Sequence, residues 1–169
     1  MVFTEELSLQ ALTRFQLEVD MRQYASVVYD DNTQKLLRDW TRSYGIEQTV
    51  TYGGRRIDPS EWVFHTTIVY SITDTNIPNG VWKLDAPMSA AVCGIDMYGH
   101  NKNVPVLLVD VVGDICHVRD IFIKLGMVDE WPIFSPHVSI TYNRVVSPPT
   151  TIPDFNLIFD KIRIEALIE

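Results

Sequence analysis

The alternation of apolar and polar positions divides the chain into short elements, most with period two. Gln23 to Asp30 alternates as a strand, with Ala25, Val27 and Tyr29 on one face and Tyr24, Ser26, Val28 and Asp30 on the other. Leu36, Leu37, Trp40 and Tyr44 then follow at helical spacing from a start at Asp31-Asn32-Thr33, and Gly45 closes that helix. Trp62 to Tyr70 is dense in aromatic and β-branched residues and reads as a buried strand. Turn residues dominate from Thr73 to Gly80, and Trp82-Lys83-Leu84 reads as a short strand. Ser89 to Met97 is a strand whose internal Gly94 suggests a bulge. A turn over 98–103 makes it a hairpin with Val104 to Val112, where Pro105 is tolerable near the start.

The second half repeats this order. Asp114 to Leu125 has a helical stripe of Val118, Ile121, Phe122 and Leu125, closed by Gly126. Pro136 to Tyr142 is a further strand, and Phe155 to Glu169 supplies the last, with Ile162 and Ile164 opposite Lys161, Arg163 and Glu165. Strand, helix, strand over 23–30, 32–44 and 62–70 is matched by 104–112, 114–125 and 136–142, which suggests an internal duplication. Thr4 to Asp20 precedes this as a helix with Leu7, Leu9, Leu12, Phe15 and Leu17 on its packing side.

Composition narrows the partners. No apolar run approaches the roughly 18 residues of a membrane span. The first residues lack the features of a signal peptide. Two cysteines, Cys93 and Cys116, form no metal or redox motif, so a reducing cytoplasmic setting with free thiols is the default, though sequence alone leaves a disulfide open. A net charge of −8, with Arg55-Arg56 as the densest basic pair, argues against coating a long nucleic acid. A small phosphorylated ligand in a cleft remains compatible.

The chemistry lies in one repeated detail. His65 and Thr67 share a strand face, and so do His137 and Ser139; each histidine is also followed by Ile at +3 and Tyr at +5. A hydroxyl two residues after a given histidine arises by chance roughly one time in eight. His100 and His117 are followed there by Lys102 and Arg119. A lone strand histidine is ordinarily a core residue bonded to backbone, but the recurrence favours function. Two imidazoles flanking a phosphodiester can divide the work: one takes a proton from the attacking hydroxyl or water, the other protonates the departing oxygen. Thr67 and Ser139 would donate to the non-bridging oxygens. No metal-ligand spacing and no glycine-rich phosphate loop accompanies them, so no metal and no cofactor is expected.

Strand parity offers further candidates. Tyr24 is expected to face the cleft and stack on a base, and Glu165 to read a base edge. Trp82 and Trp131, near loops, are candidates for a lid. Tyr70 and Tyr142 have the opposite parity to their histidines and are expected on the helix side.

The segments His65-Thr66-Thr67-Ile68 and His137-Val138-Ser139-Ile140 resemble the paired motifs of the 2H phosphoesterases. With Tyr24 and the longer "HTTIVYS" and "HVSITYN", the chain looks most like the phage anti-CBASS nucleases in that group. The resemblance implies an α+β, bilobal fold over residues 21–169, with two antiparallel sheets lining a central cleft, helices outside, and 1–20 as a helical extension. It also implies metal-independent opening of cyclic di- and trinucleotide signals of bacterial antiphage defence, a ribose 2′-hydroxyl attacking the 3′–5′ bond. The rivals are action on RNA ends (2′,3′-cyclic phosphates or 2′–5′ linkages) and a sponge that binds without cutting. The sequence leaves the oligomeric state open.

Overall fold

The computed structural model describes residues 21–145 and 147–167; the helix expected over 4–20 lies outside them. The elements are β1 (Met21–Tyr29), α1 (Asp31–Ser43), β2 (His65–Thr75), β3 (Gly80–Ala90), β4 (Val92–Tyr98), β5 (Val104–Val109), α2 (Asp114–Lys124), β6 (His137–Ser139) and β7 (Leu157–Ala166). All pairings are antiparallel, and the strands form one seven-stranded sheet in the order β3-β7-β1-β2-β6-β5-β4.

That sheet overturns the bilobal, two-sheet arrangement. The two histidine strands pair directly, Thr66 opposite Val138, so the halves meet as neighbours within one layer. The repeated order survives as β1-α1-β2 and β5-α2-β6, and the central strands β1-β2-β6-β5 are arranged about a local two-fold between β2 and β6.

One face of the sheet is apolar. Ala25, Val27, Val69, Leu107, Val138, Ile162 and Ile164 join Leu37 of α1 and Ile115, Val118 and Phe122 of α2 in a single core. At about 25 cal/mol per Å² of apolar surface buried, this layer is the main stabilising term. The opposite face carries the polar positions of the same strands. No helix among the described residues is long and apolar enough to cross a membrane. Cys93 and Cys116 are both free thiols.

Several boundaries differ from the pattern, each for a local reason. The first histidine strand starts at His65 instead of Trp62. The Gln34 side chain takes both backbone groups of Phe64, accepting from its N–H at 2.8 Å and donating to its carbonyl at 2.7 Å. It then continues to Thr75, pairing with Met21 in a stretch rich in turn residues. β3 is longer than Trp82–Leu84, with an irregularity between Lys83 and Met88. The bulge expected near Gly94 is present, between Val92 and Gly94. β6 is shorter than expected. The Thr141 hydroxyl accepts from the Asn143 N–H at 3.0 Å, a turn that draws the chain off the sheet. Asp30 caps α1, its side chain accepting from the Thr33 N–H at 2.7 Å.

Candidate functional site

The site is the floor formed by the polar face where β2 and β6 meet. With Thr66 opposite Val138, antiparallel counting puts His65 across from Ser139 and Thr67 across from His137. These side chains form a square, with the imidazoles on one diagonal and the hydroxyls on the other. Diagonal neighbours in such a pair stand about 7–8 Å apart at their Cα atoms, within reach of one small ligand group. β1 extends the square on one side, with Val28 opposite His65 and Ser26 opposite Thr67. β5 does so on the other, with Val106 opposite Ser139 and Leu108 opposite His137.

Both imidazoles are held the same way. His65 Nδ1 lies 3.2 Å from the Val63 carbonyl, and His137 Nδ1 lies 3.0 Å from the Ser135 carbonyl. A carbonyl only accepts, so Nδ1–H is the donor in each and Nε2 is left for proton transfer. α1 fixes the approach to His65, because Arg38 donates to the carbonyls of Pro59 and Trp62 at 2.7 and 3.2 Å. Tyr98 fixes the His137 ring from β4: the ring centroids are 4.6 Å apart, edge to face, and the Tyr98 hydroxyl is 2.8 Å from Ser135 Oγ. Burial pulls the His65 pKa below its ordinary value; the Val63 hydrogen bond opposes this, and the charges of Arg163 and His137 add to it.

The aromatic residues depart from strand parity. A bulge places Ile68 as an extra residue on β2: Ser26 faces Thr67, but Ala25 faces Val69. Ile68 and Val69 are both buried, alternation resumes out of phase, and Tyr70 emerges on the same face as His65. There it stacks on Tyr24 with centroids 6.2 Å apart, correcting its expected place on the helix side. Tyr142 is corrected too. It lies beyond the end of β6 and turns back, donating to Ser139 Oγ at 3.3 Å.

The tyrosine five residues after each histidine meets a tryptophan upstream of the other histidine. Tyr142 packs on Trp62 (5.7 Å) and Tyr70 on Trp131 (5.6 Å). These pairs wall the floor at its two ends. Trp62 is 8% exposed and Trp131 56%, so the first wall is closed and the second open to a ligand.

Of the other candidates, Tyr24 and Glu165 stand together on the polar face, the Tyr24 hydroxyl donating to Glu165 Oε2. Burial raises the Glu165 pKa. Trp131 borders the floor, but Trp82 does not: it lies opposite Ile162, buried in the core on the helix side, which removes it from any lid. Sequence reasoning did not single out Tyr98, or the wall formed by Trp62 and Tyr142. The signal for the second was present in the tyrosine repeated five residues after each histidine. A concavity of about 350 Å³ opens beside the His65 end, lined by Val28, Gln34, Arg38, Trp62, Val63 and Lys161. Neither imidazole lines it; both stand on the polar floor.

These features define a sheet protein with two histidine-and-hydroxyl strands joined on one solvent-facing surface. The family model for anti-CBASS protein Acb1 matches residues 22–167, and the chain belongs to that family. No curated protein matches it.

Proposed function

We propose that the protein is a phosphodiesterase that opens cyclic di- and trinucleotide signals and so defeats the CBASS defence for which its family is named. The observation that carries this is the square of His65, Ser139, Thr67 and His137, with both Nε2 atoms free. A ribose 2′-hydroxyl gives its proton to one imidazole and its oxygen bonds to the adjacent phosphorus. The bond from phosphorus to the 5′-oxygen breaks, and that oxygen takes a proton from the other imidazole. The product is a linear oligonucleotide ending in a 2′,3′-cyclic phosphate, with no water or metal consumed. Each imidazole contributes about 10²- to 10⁴-fold. The hydroxyls of Thr67 and Ser139 donate to the non-bridging oxygens as charge builds. This is the paired-histidine chemistry of the 2H phosphoesterases, carried here on a single sheet. Tyr24, Tyr70 and Trp131 offer stacking faces for bases, and Glu165 a polar group beside them.

The test is incubation with cyclic di- and trinucleotides and with 2′,3′-cyclic nucleotides in EDTA, followed by chromatography. Ring opening, abolished by either His65→Ala or His137→Ala, is the expected result. Turnover of the 2′,3′-cyclic nucleotides alone would assign the protein to RNA ends, and retention without product would make it a sponge.

A further inference from the structure

The four central strands are arranged about a local two-fold, but the side chains that flank them on the outer strands β7 and β4 do not follow it. Outward through β1 to β7, the row of His65 continues with Val28 and Lys161, and that of Thr67 with Ser26 and Arg163. Outward through β5 to β4, the row of Ser139 continues with Val106 and Asp96, and that of His137 with Leu108 and Gly94. Two cations, Lys161 in the row of His65 and Arg163 in the row of Thr67, lie on the β2 side, while a carboxylate, Asp96 beyond Ser139, and Gly94 beyond His137 take the corresponding places on the β6 side.

The two cations are not equally available. Lys161 Nζ is held by Asp160 at 3.1 Å. The ion pair of Arg163 is long, Nε to Glu165 Oε1 at 3.8 Å, and the other oxygen of that carboxylate is engaged by Tyr24. Between Arg163 and Thr67 stands only Ser26, a small residue fully buried even though it is on the polar face, with its Oγ unpartnered. Adjacent strands lie about 4.8 Å apart, so the Cα atoms of Arg163 and Thr67 are separated by about 10 Å, a gap that an extended arginine largely spans.

We infer that Arg163 is the cation that meets the scissile phosphate, and that its place on the β2 side of the paired strands, two strands from His65 and three from His137, makes His65 the base and His137 the acid. This rests on the phosphodiesterase reading above. The reacting phosphodiester carries one negative charge and gains more as the 2′-oxygen attacks. A guanidinium fork can engage two non-bridging oxygens at once, which a lysine point charge does not match. In a chain of net charge −8, a local cation is also needed to hold a substrate with several phosphates.

The same guanidinium disfavours a second positive charge on His65, leaving its Nε2 lone pair free to accept the 2′-hydroxyl proton. Burial of His65 acts in the same direction and is the larger influence. The charged groups facing His65 are Arg163, Lys161 and Glu165 from β7 and His137 from β6; β1 presents Val28, and Arg38 of α1 is held by backbone carbonyls. In the step itself, the 2′-O–H proton passes to His65 Nε2, the bond from the 2′-oxygen to phosphorus forms as that to the 5′-oxygen breaks, and His137 Nε2–H protonates the 5′-oxygen. Solvent then restores both imidazoles.

The experiment compares wild type, Arg163→Gln and Arg163→Lys on a cyclic dinucleotide, with NMR titration of the imidazole nitrogens of each. Arg163→Gln should lower kcat by about 10²- to 10³-fold, and Arg163→Lys by less. The His65 titration should move to higher pH in Arg163→Gln and stay in place in Arg163→Lys, a shift that a merely structural role would not produce. Should Arg163→Gln keep kcat within about threefold of wild type, or move the His137 titration and not that of His65, the inference is overturned while the phosphodiesterase reading stands. A wild type that opens no cyclic nucleotide overturns both.

Discussion

Thr66 of β2 stands directly opposite Val138 of β6, both side chains in the core, and this one register pair sets the geometry of the polar face above it. A slip of one residue in either strand would send that strand's histidine into the hydrocarbon layer and bring its Thr66 or Val138 to the surface. Thr66 is further tied down by Tyr29, whose hydroxyl lies 2.5 Å from Thr66 Oγ1 inside the core. The position of the site therefore depends on buried residues that never touch a ligand.

Tyr29→Phe tests that dependence. It leaves the Thr66 hydroxyl buried and unpartnered, at a cost of about 1–3 kcal/mol. The urea midpoint should fall with an unchanged slope. Thr66→Val alone leaves the tyrosine unpartnered and should cost a similar amount. The double variant, which removes both partners, should recover part of the loss.

Removing the floor hydroxyls separates donor from shape. Thr67→Val and Ser139→Ala should each lower kcat on a cyclic dinucleotide by about 10²- to 10³-fold, with less effect on KM. Ser139→Thr keeps the donor and should retain most of the rate. Steady-state kinetics on the four proteins decide it; equal losses in Ser139→Ala and Ser139→Thr would remove the hydroxyl from the mechanism.

The elements and the catalytic candidates could be read from the chain because both rest on local pattern. His65, Thr67, His137 and Ser139 announce themselves by spacing and repetition, and Gly45 and Gly126 end their helices as glycines do, at φ of 71° and 100°. Sheet count was not legible. Nothing local in His137-Val138-Ser139 says that it pairs with Thr66 and closes both halves into one layer. Tyr70 was misplaced because parity counting assumes an unbroken ladder, and the extra Ile68 shows only once Ala25 and Ser26 have found their partners. Trp82 was misplaced because β3 runs on to Ala90, making a residue that looked close to a loop part of a long paired strand.

The exposed wall is where the substrate's bases should register. Trp131, 56% exposed and packed edge-on against Tyr70, has its other surface free. Trp131→Ala should weaken substrate binding by about 1–3 kcal/mol, the usual loss for one base stacked on an aromatic ring. The change should appear in KM far more than in kcat. Isothermal titration on a His65→Ala background, expected to bind without cutting, measures it directly; unchanged affinity would take Trp131 out of the site.

Burial gives His65 a signature in stability that needs no substrate. Its pKa in the folded protein lies below the ordinary value near 6.5, while in the unfolded chain it returns there. Between those two values the unfolded state binds the proton more readily, so acidification favours unfolding. Stability should be level with respect to this group above pH 6.5, fall as the pH drops below it, and level off below the folded pKa. Carboxylates add their own slope at lower pH, so the comparison is with His65→Asn, which removes this contribution and leaves theirs. Urea unfolding of both proteins at pH 7.5, 6.5 and 5.5 should show wild type losing more stability than the variant over the lower interval. Parallel lines would mean that the imidazole is as well solvated in the folded protein as in the unfolded chain, and burial would then give no support to the base role inferred for it.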